Sequence, residues 1–484
     1  MLRAALGPDG AAADPVAAAA DPVDAADTAP ADADACPFGV FAAPGASDAQ
    51  DAALTKATTA SCMAFIQEIV CLVRAVGHSR SSTDRNTVPL LHLLVMARRV
   101  YLDHAATTPV DPEVAEAMGR VLRDLHGNPS SIYAEGRAAR ALVDRAREEV
   151  AAALGADPRE MVFTSGGTEA DNLALRGTLK ARQDDGDGLI TTAVEHHAVL
   201  DTAEDLERHA HVRVSIIGVD RDGRVDPDDV RRAIDERTVL VSVMHGNNEI
   251  GTLQPIAEIG AICRERGVTF HTDAVQTVGI LPFDVRALPV DLVSINAHKF
   301  YGPKGVGALY VRKGTRIATM QTGGGQEKGR RTGTENVAGV VGLGVAMRLA
   351  TERRSTEAPR QARLRDRIAD GVRARIPSVV LTGHPTERLP NNASFCFPGT
   401  QGEALIVALD LDGFSVSSGS ACTSGNTEPS HVLLALGLDR EVAQGSLRVS
   451  VGRATTDADV DAFLEALPPI VARLRSISAE PVPR

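Results

Sequence analysis

From Val100 onward, short apolar runs alternate with longer stretches of helical period, and no other feature limits the possible folds as strongly. Met161-Val-Phe-Thr164 reads as a strand running into Ser165-Gly-Gly-Thr-Glu169. Further strands are expected at 189–193, 212–219, 239–244, 268–273, 290–295 and 306–311, with helices at 137–154 and 255–266. Strands this short and this apolar are buried on both faces, so the expected class is α/β: a mostly parallel central sheet with helices on both sides. Past a long helix at about 356–375 the pattern turns to mixed α+β, with strands near 392–397 and 447–451. We therefore expect a large domain at 96–349 and a smaller α+β domain at 350–484.

Residues 1–95 do not share this alternation. They are rich in Ala, Asp and Pro and carry five Lys/Arg against eleven Asp/Glu, half of the chain's net charge of −12. That composition reads as a disordered acidic extension; the abrupt change at Met96 favours Met96 as the natural start, with a genuine disordered tail as the rival reading. It has no basic region followed by an apolar core, so it is not a secretory signal, and it is too acidic for a transit peptide. The negative balance gives nucleic acid no general footing as a partner. No run of 18 apolar residues predicts a membrane span. Six cysteines in 484 residues, none in a CxxC pair and none clustered with His at zinc spacing, suit free thiols in a reducing cytoplasm and no intrinsic metal.

Chemistry-bearing residues fall where the expected strands end, which is where α/β sheets bind ligands. Lys299, in Ser294-Ile-Asn-Ala-His-Lys299, follows an apolar strand and precedes a Gly/Pro turn. Taken alone it is more often a surface lysine. Asp273 ends the strand 26 residues earlier, about one crossover unit away, with Gln276 just beyond. Its ordinary use would be a helix N-cap. Thr164-Ser-Gly-Gly-Thr-Glu169 carries a strand through glycines into a helix, a place where N–H groups hold phosphate. His196 follows another strand, beside His197 as a rival, and His245-Gly-Asn-Asn-Glu-Ile-Gly251 offers Asn248. These are the provisions pyridoxal 5'-phosphate (PLP) needs: a Schiff-base lysine, an acid for the ring nitrogen, a phosphate cradle and a group over the ring. Cys422 stands apart, in Ser417-Ser-Gly-Ser-Ala-Cys-Thr-Ser424. Cys263 and Cys396 lie among apolar neighbours and read as buried small hydrophobes. Cys422 lies in a Ser/Gly stretch that suits an accessible nucleophile.

In order along the chain stand Tyr101-Leu-Asp-His-Ala-Ala-Thr-Thr-Pro, Gly127-Asn-Pro-Ser, Phe163-Thr-Ser-Gly-Gly-Thr-Glu, Asn247-Asn-Glu-Ile-Gly, Ala297-His-Lys with Gly302-Pro-Lys-Gly, Gly323-Gly-Gly-Gln-Glu and the Cys422 segment. This set resembles the NifS/IscS-like cysteine desulfurases, class V aminotransferase-family enzymes of PLP fold-type I, over roughly residues 98–475. The resemblance implies catalysis by Lys299, Cys422 and His196. It places the cofactor among Gly167, Thr168, His196, Asn248, Asp273, Gln276, Asn296, His298 and Lys299. Thr334 would come from the partner subunit of a homodimer. It gives the substrate carboxylate to Arg448, with Arg453 as fallback and Asn248 nearby. Asn296 departs from the family's usual Ser. L-cysteine would yield L-alanine and a Cys422 persulfide for an iron–sulfur scaffold or a tRNA-thiolation acceptor, and Cys422 would share a [2Fe-2S] cluster only in passing. The competing readings are another class V enzyme (aminotransferase, selenocysteine lyase or kynureninase-like hydrolase), a relative serving DNA phosphorothioation, and a non-catalytic PLP-binding sulfur carrier.

Overall fold

Strands apolar on both faces need covering on both faces, and the way they are covered determines the architecture. The computed structural model describes residues 99–419 and 428–479. The extension at 1–95 and Cys422 lie outside the described residues.

The chain runs β1 (Val100–Tyr101), α1 (Pro112–Asp124), α2 (Ala134–Leu154), β2 (Met161–Thr164), α3 (Gly167–Ala181), β3 (Gly188–Thr192), α4 (His197–Ala210), β4 (Arg213–Ile217), α5 (Pro227–Ala233) and β5 (Thr238–Ser242). It continues through α6 (Ile256–Arg266), β6 (Thr269–Asp273), β7 (Leu292–Asn296), β8 (Gly307–Val311) and α7 (Val337–Arg375). The remainder is β9 (Val380–Thr382), β10 (Asn392–Cys396), α8 (Gly402–Leu411), β11 (Phe414–Ser415), α9 (His431–Ala435), α10 (Arg440–Gln444), β12 (Ser446–Ser450) and α11 (Asp457–Ala479).

Seven strands form one sheet in the order β2-β8-β7-β6-β5-β3-β4. Strands β3 to β7 pair parallel, whereas β8 runs antiparallel to both β7 and β2. Successive side chains of a strand point to opposite faces, and the core divides accordingly. Phe163, Ile190, Val241, Val293 and Tyr310 join one cluster with α2, α6 and the start of α7. Their neighbours Val162, Leu189, Leu240, Leu292 and Leu309 join another with α3 and α4. Each side chain buried this completely contributes roughly 1.5–3 kcal/mol relative to exposure.

A second sheet, β12-β10-β9, is antiparallel and packs with α8, α11, β1 and the later turns of α7 around Phe395, Leu447 and Phe463. The strand expectations hold, with ends shifted by at most two residues. The long helix does not: it begins at Val337, well before residue 356. Its first half is buried between α1 and α2, and Gly342 and Gly344 let it approach Met118 and Ala146 closely. A helix covered on several sides shows no amphipathic stripe, so its start leaves no periodic signal. Residue 350 falls inside this continuous helix.

Candidate active site

The C-terminal ends of β3, β5, β6 and β7 deliver His196, Asn248, Asp273 and Lys299. Asp273 and Lys299 come from adjacent parallel strands, with Asp273 opposite Ser294 in the register. Lys299 closes a single helical turn after β7. Its Nζ donates to the carbonyls of Ala105 (2.6 Å) and Ala106 (2.8 Å). Gln276 Nε2 donates to the same Ala105 carbonyl at 3.0 Å. Two residues beyond the lysine, Tyr301 holds a left-handed backbone at φ 68°. Such a conformation persists only when its surroundings over-determine it. Here Thr108 Oγ1 accepts from its N–H at 2.7 Å, its hydroxyl accepts from Arg453 N at 2.6 Å, and the Arg453 guanidinium lies 4.0 Å from its ring centroid. Arg453 also pairs with Asp111, which binds it to this structural post.

Asp273 is buried, and desolvation pushes its carboxyl up against the opposing pull of the Val275 N–H and Lys299. The bond from Val275 N, 2.8 Å, is a local turn cap, so the modest role and the chemical one coexist in one side chain. Behind it lies a buried polar layer. His271 bridges Ser242 Oγ (2.8 Å) and Ser294 Oγ (3.0 Å) and stands 3.7 Å from Asp171. Burial drives His271 down to about 3 and Asp171 upward. Glu195, fully buried, is pushed up to about 8 by desolvation while accepting from Met244 N (2.9 Å) and Thr192 Oγ1 (2.8 Å).

His196 caps α4: its Nδ1 accepts from Ala198 N at 3.0 Å. That bond places the proton of the neutral ring on Nε2. Burial and the nearby Lys299 charge lower its pKa to about 4, so the ring is neutral at pH 7. His197 instead faces Asp201 at 3.0 Å with its side chain 41% exposed. His298 Nδ1 contacts Thr107 Oγ1 at 3.1 Å, and burial also lowers its pKa to about 4.

Gly167, Thr168, Asn296 and His298 surround a turn built for a bulky anion. A Cβ on Gly167 would lie 2.9 Å from Val275 Cγ2 and 3.4 Å from Asn296 Nδ2, so a side chain there would have to displace Val275. Asn296 Oδ1 is buried with no hydrogen-bond partner among the described residues. The first turn of α3 presents N–H groups without intrahelical acceptors. A ring-bearing phosphate ester fits this set: Lys299 for its carbonyl, Asp273 for its nitrogen and the Gly167 turn for its phosphate.

Arg448 is set apart from these strand ends. It lies within β12, opposite Ser394, and is 3% exposed. Its Nη2 donates to Asp103 at 2.7 Å and its Nη1 to the Asn248 carbonyl at 2.9 Å. Thr334 is exposed; three residues before it, Arg331 pairs with Glu169 of the phosphate turn at 2.8 Å. In the same segment, Glu327 and Lys328 take left-handed conformations. Glu327 forms a buried two-pronged pair with Arg147 (2.6 and 2.8 Å) and accepts from Phe163 N at 3.1 Å.

Sequence reasoning passed over Glu195, Asp171, His271, Asp103 and the Arg147–Glu327 pair as functional parts. Glu195 and Asp103 did carry a signal, each being an acid set directly against an apolar strand. The cysteines at 263 and 396 are free and buried, with thiols pushed up to about 12. Among the described residues, no helix is long and apolar enough to cross a membrane.

Comparison with known proteins places this geometry in context. The family model for aminotransferase class-V matches residues 100–463. The chain is 50% identical over 383 residues to the cysteine desulfurase IscS of Dictyoglomus turgidum, covering 79% of this chain and 97% of that one. A solved NifS-like protein superposes with a TM-score of 0.73 at 38% identity, covering 78% of this chain and all of the other. A structure of SspA in complex with cysteine superposes with a TM-score of 0.65 at 35% identity, covering 73% and 99%.

Proposed function

We infer that this chain, which belongs to the class V aminotransferase family, is a cysteine desulfurase that takes sulfur from L-cysteine and releases L-alanine. One observation carries the reading. In a chain half identical to a curated cysteine desulfurase, Lys299 and Asp273 meet on adjacent strand ends beside a crowded glycine turn that opens a helix.

The cofactor that suits this set is pyridoxal 5'-phosphate, held by Lys299, Asp273, Gln276, His196, Gly167, Thr168, Asn296 and His298. Bound there, it supplies an electron sink for charge developing at the substrate α-carbon. Arg448 holds the substrate carboxylate through the N–H donors that Asp103 and Asn248 leave over. The Lys299 amine takes the α-proton. His196, neutral and with its proton on Nε2, serves the substrate sulfur as acid or base. The Cys422 thiolate attacks that sulfur. The carbon–sulfur bond breaks, a sulfur–sulfur bond forms, and the carbon is reduced as the thiol is oxidised, so no outside oxidant is needed. The products are L-alanine and a Cys422 persulfide, which passes sulfur to an iron–sulfur scaffold or a tRNA-thiolation acceptor in the cytoplasm.

We read 96–349 as the part that holds the cofactor and 350–484 as the part that brings the carboxylate arginine and the cysteine. The working unit is a homodimer in which Thr334 reaches the partner subunit's phosphate.

The test compares alanine and sulfide release from L-cysteine plus a thiol reductant in the wild type and Cys422→Ala. Wild-type release of both, with turnover lost and cofactor absorbance kept in the variant, is the expected result. Full activity in Cys422→Ala removes the persulfide step.

A further inference from the structure

Arg448 is 97% buried, and its guanidinium is not free to choose its direction. Of five N–H donors, one on Nη2 meets Asp103 Oδ1 at 2.7 Å and one on Nη1 meets the Asn248 carbonyl at 2.9 Å. The Nε–H is buried with no partner among the described residues. Three donors therefore remain for a carboxylate.

Asp103 is itself fixed. Its backbone bridges Ser450, two residues along β12 from Arg448. Ser450 N donates to Leu102 O at 2.7 Å, and Ala105 N donates to Ser450 Oγ at 2.9 Å. The Tyr101 hydroxyl donates toward the carbonyls of Asp103 (3.0 Å) and Thr107 (2.9 Å), tightening the same turn. Two residues after Asp103, the Ala105 carbonyl accepts from Lys299 Nζ. One short turn, Asp103 to Thr107, thus touches both the arginine and the lysine.

We propose that Asp103 is a positioning residue: it aims the remaining donors of Arg448 at the substrate carboxylate. The inference rests on reading Arg448 as the carboxylate anchor. A guanidinium without its ionic partner would still be buried but could rotate about its last torsions, and its remaining donors would meet the substrate carboxylate less well. Because Asp103 meets neither the α-carbon nor the sulfur, its loss falls on binding rather than on the bond-breaking steps.

The experiment measures KM and kcat for L-cysteine, together with the dissociation constant of the product L-alanine by calorimetric titration of the PLP-loaded dimer. Asp103→Ala is expected to raise both KM and the L-alanine constant about tenfold, with kcat within about twofold. Asp103→Asn keeps an oxygen acceptor and loses the charge, so both rise about threefold. If Asp103→Ala does not fold, Asp103→Asn carries the test. Unchanged KM and unchanged L-alanine affinity in the variant that folds overturn the proposal, as does a fall in kcat without a rise in KM. Arg448→Ala separates the two readings. If it leaves L-alanine affinity intact, the anchor itself is misassigned; if it destroys affinity while both Asp103 variants bind normally, only the role of Asp103 fails.

Discussion

The two sheets offer their functional groups in opposite ways. The seven-stranded sheet presents Lys299, Asp273 and His196 beyond the ends of parallel strands, on turns. The three-stranded sheet presents Arg448 from inside a strand, with ladder partners on both sides. The electrostatics differ in the same sense. Beside the strand ends sit acids pushed up by burial (Glu195, Asp171, Asp273) and histidines pushed down (His196, His271, His298). Arg448 is instead matched by a carboxylate and a carbonyl. On the roles proposed above, groups that change protonation or covalent state stand on turns in desolvated surroundings, whereas the group that only holds its ligand is laced into a sheet and aimed by a carboxylate and a carbonyl.

The sharpest way to break this contrast is Lys299→Ala. Alanine release should fall on the order of 10³-fold or more, because base and Schiff-base functions vanish together. Retention of a tenth of the turnover would mean that the chemistry does not depend on the strand-end lysine. Next is the brace behind the phosphate turn. Glu327→Ala leaves Arg147 buried and unpaired, and denaturant unfolding should show a loss of about 3–5 kcal/mol. A loss under 1 kcal/mol would show that the turn stands without its brace.

The pH dependence of stability sharpens the comparison further. Glu195 has a folded pKa of about 8, above the ordinary carboxylate value. A raised carboxyl adds stability that is complete below the ordinary carboxylate pKa and is lost as pH rises from there to the folded value, so raising pH from 6 to 9 costs the wild type about 3 kcal/mol at this group. Glu195→Gln should flatten that limb of the stability curve; an unaltered slope would remove the desolvation assigned to this end of the sheet. The smallest effect is expected on the other side. Ser430 caps α9 by accepting from Val432 N and donates to Glu249. Ser430→Ala should lower stability by about 1 kcal/mol, read from the unfolding midpoint, with little change in its pH profile.

The division of labour between the sheets was only partly legible in the sequence. Alternating periods disclosed the strands and their covering, because burial on both faces leaves an unbroken apolar run. The same alternation put Lys299 and Asp273 at nearby strand ends and His196 after another strand, and the structure delivers all three to one end of the sheet. The first half of α7 went unread because Gly342 and Gly344 mark close packing rather than a stripe. The raised carboxyls could not be told from ordinary acids for another reason: Glu195 stands against an apolar strand like many a solvated acid until tertiary packing strips its water away. The partners of Arg147 and Arg448 lie 180 and 345 residues distant, beyond any local pattern. What the sequence conveys well is local period; what it hides is which distant charge closes upon which.

That last separation has a consequence for how the protein is made. Asp103 leaves the ribosome 345 residues ahead of Arg448. At 5–20 residues per second the turn waits about 20–70 s for its arginine. For most of that interval β1 also lacks β11, the strand it pairs with, and the seven-stranded sheet can assemble before the small one. A nascent or truncated chain can therefore gather Lys299 and Asp273 while lacking the arginine that would hold an amino acid against them. If Arg448 is the carboxylate anchor proposed above, turnover waits on β12, one of the last strands to be made.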